Sequence, residues 1–375
     1  MPTLLQYIFA IGTFQGFLLS ALLLFTSNIS YASRILGVWC GFLAAGLMLP
    51  LVLQLETIEV YGFLLALAGF LPASFGALLY LYCRHSVLDD GFRAKDLLHF
   101  IPFVSCYLLN IDLLFSPDQV IQMFVEDTRE VTTRYSLGQI ILFGQAYIYI
   151  FYTAFFMYGY QRRAQDNYAG FNPDIFDWLW ILQGFNLLIW SLKAAGMLIP
   201  GFGLLIGGDV LIVILIYGIG LAQWRNPQLF KIAVPIAADA TVSGNDVGSR
   251  LAGKLDEDTR LALMASVNEY VRTHQAFLDS ELSLRRLSDA IGISTHHLSE
   301  TLNGETGQNF YNYVNKLRVE YVCEHLKRDQ EIKLLDLGLQ AGFSSKSTFN
   351  SVFKKQTGLT PTQYRNKCME NTAPS

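Results

Sequence analysis

Seven stretches of roughly twenty apolar residues follow one another in the first 231 positions of this 375-residue chain, and a helix of about that length is what crosses roughly 30 Å of hydrocarbon. They run near Leu4–Phe25, Ile35–Leu55, Tyr61–Cys83, Leu97–Phe115, Ser136–Tyr160, Asp177–Ile199 and Leu204–Trp224. One such run can be the core helix of a soluble protein, and for Leu97–Phe115 that reading stays open. Seven in succession predict a polytopic membrane helix bundle. The first run has no basic segment before it and exceeds a typical signal-peptide core, so it reads as a retained helix.

Charge divides the chain in two. Only 15% of residues are charged, against about 25% in an ordinary soluble domain, but eleven of the 27 Lys and Arg precede position 232 and sixteen follow from Arg250. The connecting segments carry an orientation signal, because basic residues concentrate on the cytoplasmic side. With the N-terminus outside, the inner segments hold Arg34, Arg84, Arg93, Lys95, Arg162, Arg163, Arg225 and Lys231, and the outer ones hold Arg129 and Arg134. Seven crossings then put everything after Trp224 in the cytoplasm.

Two ionisable residues lie deep within the apolar runs, Lys193 in LLIWSLKAAGMLIP and Asp209 in LLIGGDVLIVILIYG, whereas Asp112, near the outer end of the fourth run, reads as interfacial. Such groups are costly in lipid unless paired or wetted. Counted along their helices, Lys193 lies about 10 Å and Asp209 about 8 Å below the outer surface, at roughly 1.5 Å per residue. Matching depths predict a pair between adjacent helices, serving either as a staple of the bundle or as the lining of a ligand pocket. Gly12 with Gly16, and Gly203 with Gly207, have the spacing that lets helices approach closely. The five cysteines show no metal-ligand spacing, and no metal or other cofactor is expected.

Residues 232–250, dominated by small and polar types, read as a linker of intermediate flexibility. Beyond them the pattern is that of a soluble all-α domain, residues 251–375. Leu284, Leu287 and Ile291 lie on one short helix, Gly292 marks a turn, Ser294 can cap, and Leu298 and Leu302 lie on the next helix. That is a helix-turn-helix. A long helix follows with Phe310, Val314, Leu317 and Tyr321 at helical spacing, and then the motif repeats: LLDLGLQAGF, a turn at Gly342, a cap at Ser344 or Ser345, and KSTFNSVFKKQTG with Phe349 and Phe353 inward. Thr360, Pro361 and Gln363 announce a last helix with a capping box. Although the whole chain has a net charge of -4, Phe310–Lys367 holds ten basic and five acidic residues, a local excess of +5.

On these residues, and above all on AGFSSKSTFNSVFKKQTGLTPTQYR, the segment from about 258 to 367 resembles the DNA-binding domain of the AraC/XylS family of bacterial transcription regulators. The N-terminal half resembles, more loosely, seven-helix regions fused to some of them. The resemblance implies two units reading successive major-groove faces of double-stranded promoter DNA, about 34 Å apart. By position it implies base reading by Thr295, His296, Ser299 and Glu300 in the first unit and by Lys346, Ser347, Asn350 and Ser351 in the second. Arg318, Lys354 and Lys355 are expected on phosphates, contacts that position without specifying sequence. Two departures stand out: Glu300 occupies a place where many relatives carry Arg, and Gly338 replaces the usual Ala, at a helix cost of up to about 1 kcal/mol.

The expected whole is therefore a one-component regulator in the bacterial inner (cytoplasmic) membrane, multi-pass, with its N-terminus outside and its DNA-binding domain in the cytoplasm. Its expected partners are the lipid bilayer, promoter DNA and a small-molecule or lipid effector, with RNA polymerase and a second copy of the chain as further candidates. Competing readings are a transporter or enzyme with a regulatory appendage, and a regulator merely anchored by its helices. No nucleophile elbow, phosphate-binding loop or pair of catalytic carboxylates favours an enzyme.

Overall fold

A computed structural model describes residues 3–26, 29–52, 62–88, 92–116, 133–171, 173–199, 203–225 and 255–372. The expected linker, 232–250, lies outside the described residues, as do Arg129 and Lys231. The fold is all-α: among the described residues the only extended pairing is one isolated antiparallel bridge, Tyr168 with Ser283. The chain divides into two compact units. One comprises residues 1–157 and 178–238; the other comprises 158–177 and 239–375.

The first unit is built from α1 (Leu4–Phe25), α2 (Tyr31–Val52), α3 (Gly62–Gly69), a 3₁₀ turn (Leu71–Ser74), α4 (Phe75–Val87), a second 3₁₀ segment (Ala94–Phe100), α5 (Ile101–Leu109) and α6 (Ile111–Phe115). It also takes in most of α7 (Thr133–Asn167) and α8 (Pro173–Leu198), and all of α9 (Leu204–Arg225). Six helical stretches are long and apolar enough to cross a membrane: Leu4–Phe25, Tyr31–Val52, Phe63–Val87, Thr133–Asn167, Ile175–Leu198 and Leu204–Arg225.

The fourth apolar run, expected as one span over Leu97–Phe115, is instead three pieces. Pro102 sits in the first turn of α5, where its missing N–H costs nothing but ends the preceding 3₁₀ segment. At the other break, Asn110 turns its amide back to donate to the Cys106 carbonyl at 3.0 Å while its own backbone leaves the helical region. The broken run still passes lengthwise along its neighbours. At its start Asp96 pairs with Arg84 near the end of α4, further on Tyr107 donates to the Leu67 carbonyl of α3, and α6 packs against α3. It runs antiparallel to α7 as well: His99 meets Tyr149, the Cys106 thiol lies 3.6 Å from the Gly138 carbonyl, and Asp112 is 3.9 Å from Arg134. Among the described residues the unit thus has six long apolar stretches, with the jointed run lying alongside α3 and α7.

Small residues set the closest approaches. A Cβ on Gly12 would lie 2.6 Å from Val213, and one on Gly16 would lie 2.7 Å from Ala44, so this pair packs α1 tightly on α9 and α2. Gly203 and Gly207 show no such crowding; the close approach on α9 is at Gly208, where a Cβ would lie 2.9 Å from the Lys193 stem. The outward faces of α1 and α7 carry exposed Ile11, Phe14, Ile140, Ile148, Phe151 and Phe155. An apolar cavity of about 500 Å³ opens among α1, α2 and α3, lined by residues that include Phe17, Phe42, Met48 and Leu64.

The second unit contains α10 (Glu257–Thr273), a 3₁₀ turn (Ala276–Leu278), α11 (Leu284–Ile291), α12 (Thr295–Thr306), α13 (Phe310–Arg328), α14 (Leu334–Gln340), α15 (Lys346–Thr357) and α16 (Pro361–Thr372). Its core joins Val267, Val271, Leu284, Leu287, Leu298, Leu302, Phe310 and Val314 with Ala169. That alanine comes from the segment between α7 and α8.

Candidate nucleic-acid interface

Two helix-turn-helix units flank α13, and their turns are built by the same local chemistry. In the first, Gly292 ends α11 with φ +76, and the Ser294 hydroxyl accepts from the His297 amide at 3.1 Å to start α12. In the second, Gly342 turns at φ +89 and the Ser345 hydroxyl accepts from the Thr348 amide at 3.1 Å to start α15. Of the two candidate serines, Ser345 is therefore the cap. Gly342 is required twice over, since a Cβ there would also lie 2.8 Å from the Phe277 carbonyl and 2.7 Å from that of Leu278. Thr360 and Gln363 cap α16 reciprocally, Thr360 N to Gln363 Oε1 at 2.9 Å and Gln363 N to Thr360 Oγ1 at 3.3 Å.

The α15 helix separates its faces cleanly. Thr348, Phe349, Val352 and Phe353 are buried, and Lys346, Ser347, Asn350, Ser351, Lys354 and Lys355 are all exposed. Phe349 packs on Phe343 and Phe353, and Phe353 on Tyr364, an aromatic run that holds the helix rigid behind its exposed face. Gly338 belongs to this packing. A Cβ there would lie 2.8 Å from the Phe349 ring, so the helix-propensity cost of glycine makes room for the ring that seats α15.

On α12 the burial differs. Leu298, Thr301 and Leu302 face the core, His296 and Asn303 are exposed, and Thr295 and Ser299 are half-buried at the rim. Glu300, expected among the base readers, is drawn into the protein: its Oε1 accepts from the Leu255 amide at 3.3 Å, and its Oε2 lies 3.9 Å from His296 Nδ1. Nearby, Arg260 of α10 pairs with Glu305. The α10 helix thus covers the acidic side of α12. Asn303, which the sequence reading passed over, is exposed and stands nine places after its cap Ser294, as Lys354 stands nine after Ser345. Aligning the two caps would have found it.

Arg318 is not on the surface at all. Expected on a phosphate, it is 0% exposed, with Nε donating to the Phe277 carbonyl at 2.7 Å, Nη2 to that of Asp279 at 2.7 Å, and Nη1 to that of Ala169 at 3.0 Å. Nη1 also reaches Asn315 Oδ1 at 3.3 Å, and the Phe343 ring lies 5.7 Å from the guanidinium carbon. Burial pulls its pKa down to about 10, partly offset by the charge of Asp279, so it remains charged at neutral pH. A fork of donors this well matched to backbone oxygens works as a cross-brace.

In the first unit, Lys193 Nζ lies 2.6 Å from Asp209 Oδ1, joining α8 to α9, with both side chains about three-quarters or more buried (25% and 18% exposed). Gly208 supplies the space through which the lysine stem passes.

A family profile described as a helix-turn-helix domain matches residues 287–367. An uncharacterized HTH-type transcriptional regulator of Staphylococcus aureus (strain COL) is 36% identical over 99 residues, which are 26% of this chain and 13% of that protein. The uncharacterized transcriptional regulatory protein YesN of Bacillus subtilis (strain 168) is 29% identical over 141 residues, 35% of this chain and 38% of that one. A solved structure of a Listeria innocua protein of unknown function is 30% identical, covering 28% of this chain and 94% of its own, with a TM-score of 0.25. The chain spans only a minor part of the length of these regulators.

Three outcomes follow. With the full chain in lipid nanodiscs, Lys354→Ala and Lys355→Ala should each reduce the slope of log affinity for DNA against log salt by about 0.9. Arg318→Lys should leave that slope alone and destabilise the unit by about 3 kcal/mol through unpaired buried carbonyls; an unchanged melting temperature would refute the brace. For the ion pair, Lys193→Met and Asp209→Leu made singly should each lower thermal stability in detergent more than the double change does, because one change strands a charge and two do not. Singles as stable as the parent would show that the contact contributes nothing.

Proposed function

Residues 287–367 form an AraC-type helix-turn-helix domain, and from that premise we propose that the whole chain is a membrane-embedded one-component transcription regulator. In this reading α15 and α12 enter successive major-groove faces of promoter DNA. Asn350 grips an adenine through its amide, Lys346 reads guanine, and Ser347 and Ser351 bond adjacent bases. Thr295, His296 and Ser299 read from the first unit with Asn303 beside them, Glu300 positions α12 from behind, and Lys354 and Lys355 hold phosphates. The observation that carries the reading is the division of α15 into a fully packed face and a fully exposed face of Lys, Ser and Asn.

The six long apolar stretches and the exposed apolar residues of α1 and α7 support membrane embedding. Counting the jointed fourth run as a crossing makes the number odd, which with the loop charges favours an outer N-terminus and a cytoplasmic DNA-binding domain. The Lys193–Asp209 contact is read as a staple. An effector has room in the cavity among α1, α2 and α3, whose lining selects an apolar molecule or lipid chain.

Genomic footprinting of the membrane-embedded protein tests the reading helix. Asn350→Ala should cost about 1–3 kcal/mol at sites with the preferred base and relax selectivity there. Specific occupancy that the substitution leaves untouched would remove α15 from the reading role.

A further inference from the structure

The segment joining α7 to α8 is woven into the DNA-binding unit. Tyr168 forms the antiparallel bridge with Ser283, and the Ala169 amide donates to the Leu282 carbonyl at 3.1 Å. The Ala169 carbonyl accepts from Arg318 Nη1 at 3.0 Å and from Asn315 Nδ2 at 3.3 Å. Ser344 Oγ donates to the Gly170 carbonyl at 3.4 Å. The Phe171 ring, 1% exposed, packs edge-on against Tyr311 at 5.5 Å. Ala169 itself is 0% exposed and belongs to the core.

These contacts touch three places that govern the readers. Leu282 and Ser283 precede α11, and Ser283 is its N-cap, accepting from the Arg286 amide at 3.2 Å. Ser344 adjoins the cap of α15. Arg318, on the connecting helix, braces the Phe277 and Asp279 carbonyls that lead into the first unit and stands over Phe343 in the turn of the second. Withdrawing Ala169 would leave a guanidinium nitrogen and the Leu282 carbonyl short of partners in a dry site, a cost comparable to the hydrogen bonds lost. The turn before α11 and the turn before α15 would lose support together.

We infer that residues 168–171 are a docking strap through which α7 and α8 act on both helix-turn-helix units: seated, the strap holds the reading helices in register, and withdrawn, it releases them. This rests on the regulator reading above. It gives the bundle a path to the readers other than the linker. Gly170 is the point where the strap can be unseated by a substitution within the strap alone, since any Cβ there would meet the Ser280 carbonyl at 2.6 Å.

The experiment uses the full chain in native membranes, with Tyr168→Cys and Ser283→Cys introduced together. Residues paired across an antiparallel bridge lie about 4.5–5.5 Å apart at Cα, within disulfide reach. Copper-phenanthroline oxidation should give the 168–283 disulfide by peptide mass spectrometry in the double variant, and neither single variant should yield it. Adding Gly170→Val should cut that yield at least tenfold. Gly170→Val alone, at equal membrane abundance, should lower promoter occupancy at least fivefold. A disulfide yield unaffected by Gly170→Val would overturn the seating, and unchanged occupancy would overturn the coupling. If the parent chain binds no promoter DNA, the regulator reading falls and the coupling with it, while the cross-link reports on the strap by itself.

Discussion

A buried charge organises the part of this protein that is proposed to meet DNA. Taking a guanidinium out of water is expensive, and the cost is bearable only when each donor finds an acceptor. Arg318 finds three backbone carbonyls, from Phe277, Asp279 and Ala169. Those carbonyls belong to stretches far apart in sequence, so satisfying one side chain fixes the 3₁₀ turn before the first unit, the connecting helix and the segment from between α7 and α8. The readers on α12 and α15 hang from that frame by short, capped turns. Because the caps are serine hydroxyls and the turns are left-handed glycines, little slack separates the brace from the exposed side chains.

The other unit, proposed to lie in the bilayer, would answer to a different constraint. Where no water is at hand, backbone groups must be satisfied within helices or by nearby side chains. The jointed fourth run obeys this with breaks that are individually repaired, Asn110 by its own amide and the first break by a proline that had no N–H to satisfy. Two polar side chains elsewhere in the unit also donate across it. Gln183 donates to the Ile150 carbonyl at 2.7 Å, and Trp178 donates to the Tyr82 hydroxyl at 3.0 Å.

Much of this was legible in the sequence because it is local. Hydrophobic runs, the Ser-capped starts at Ser294 and Ser345, and the glycines at 292 and 342 each declare themselves within a few residues. The inward stripe of α15 did so too. What was not legible depends on partners distant in the chain. Hydropathy counted Leu97–Phe115 as one span because it does not register an amide bending back on its own helix. Arg318 sat among charged neighbours on an amphipathic helix, and nothing in that pattern reports acceptors 41, 39 and 149 residues away. Gly338 looked like a cost until Phe349 was seen filling its place. Tyr168, Ala169, Gly170 and Phe171 carry no motif at all; only the fold gives them neighbours. Glu300 was assigned by its place in a motif, and the cover that α10 lays over it is likewise a tertiary fact.

The central claim is that one chain carries a DNA reader on the cytoplasmic face of the membrane it crosses. The most direct measurement fuses paired topology reporters after Arg225, one active only in the cytoplasm and one only beyond the membrane. Activity confined to the cytoplasmic reporter is the predicted result. Activity confined to the other would place α12 and α15 across the bilayer from the genome and contradict the account.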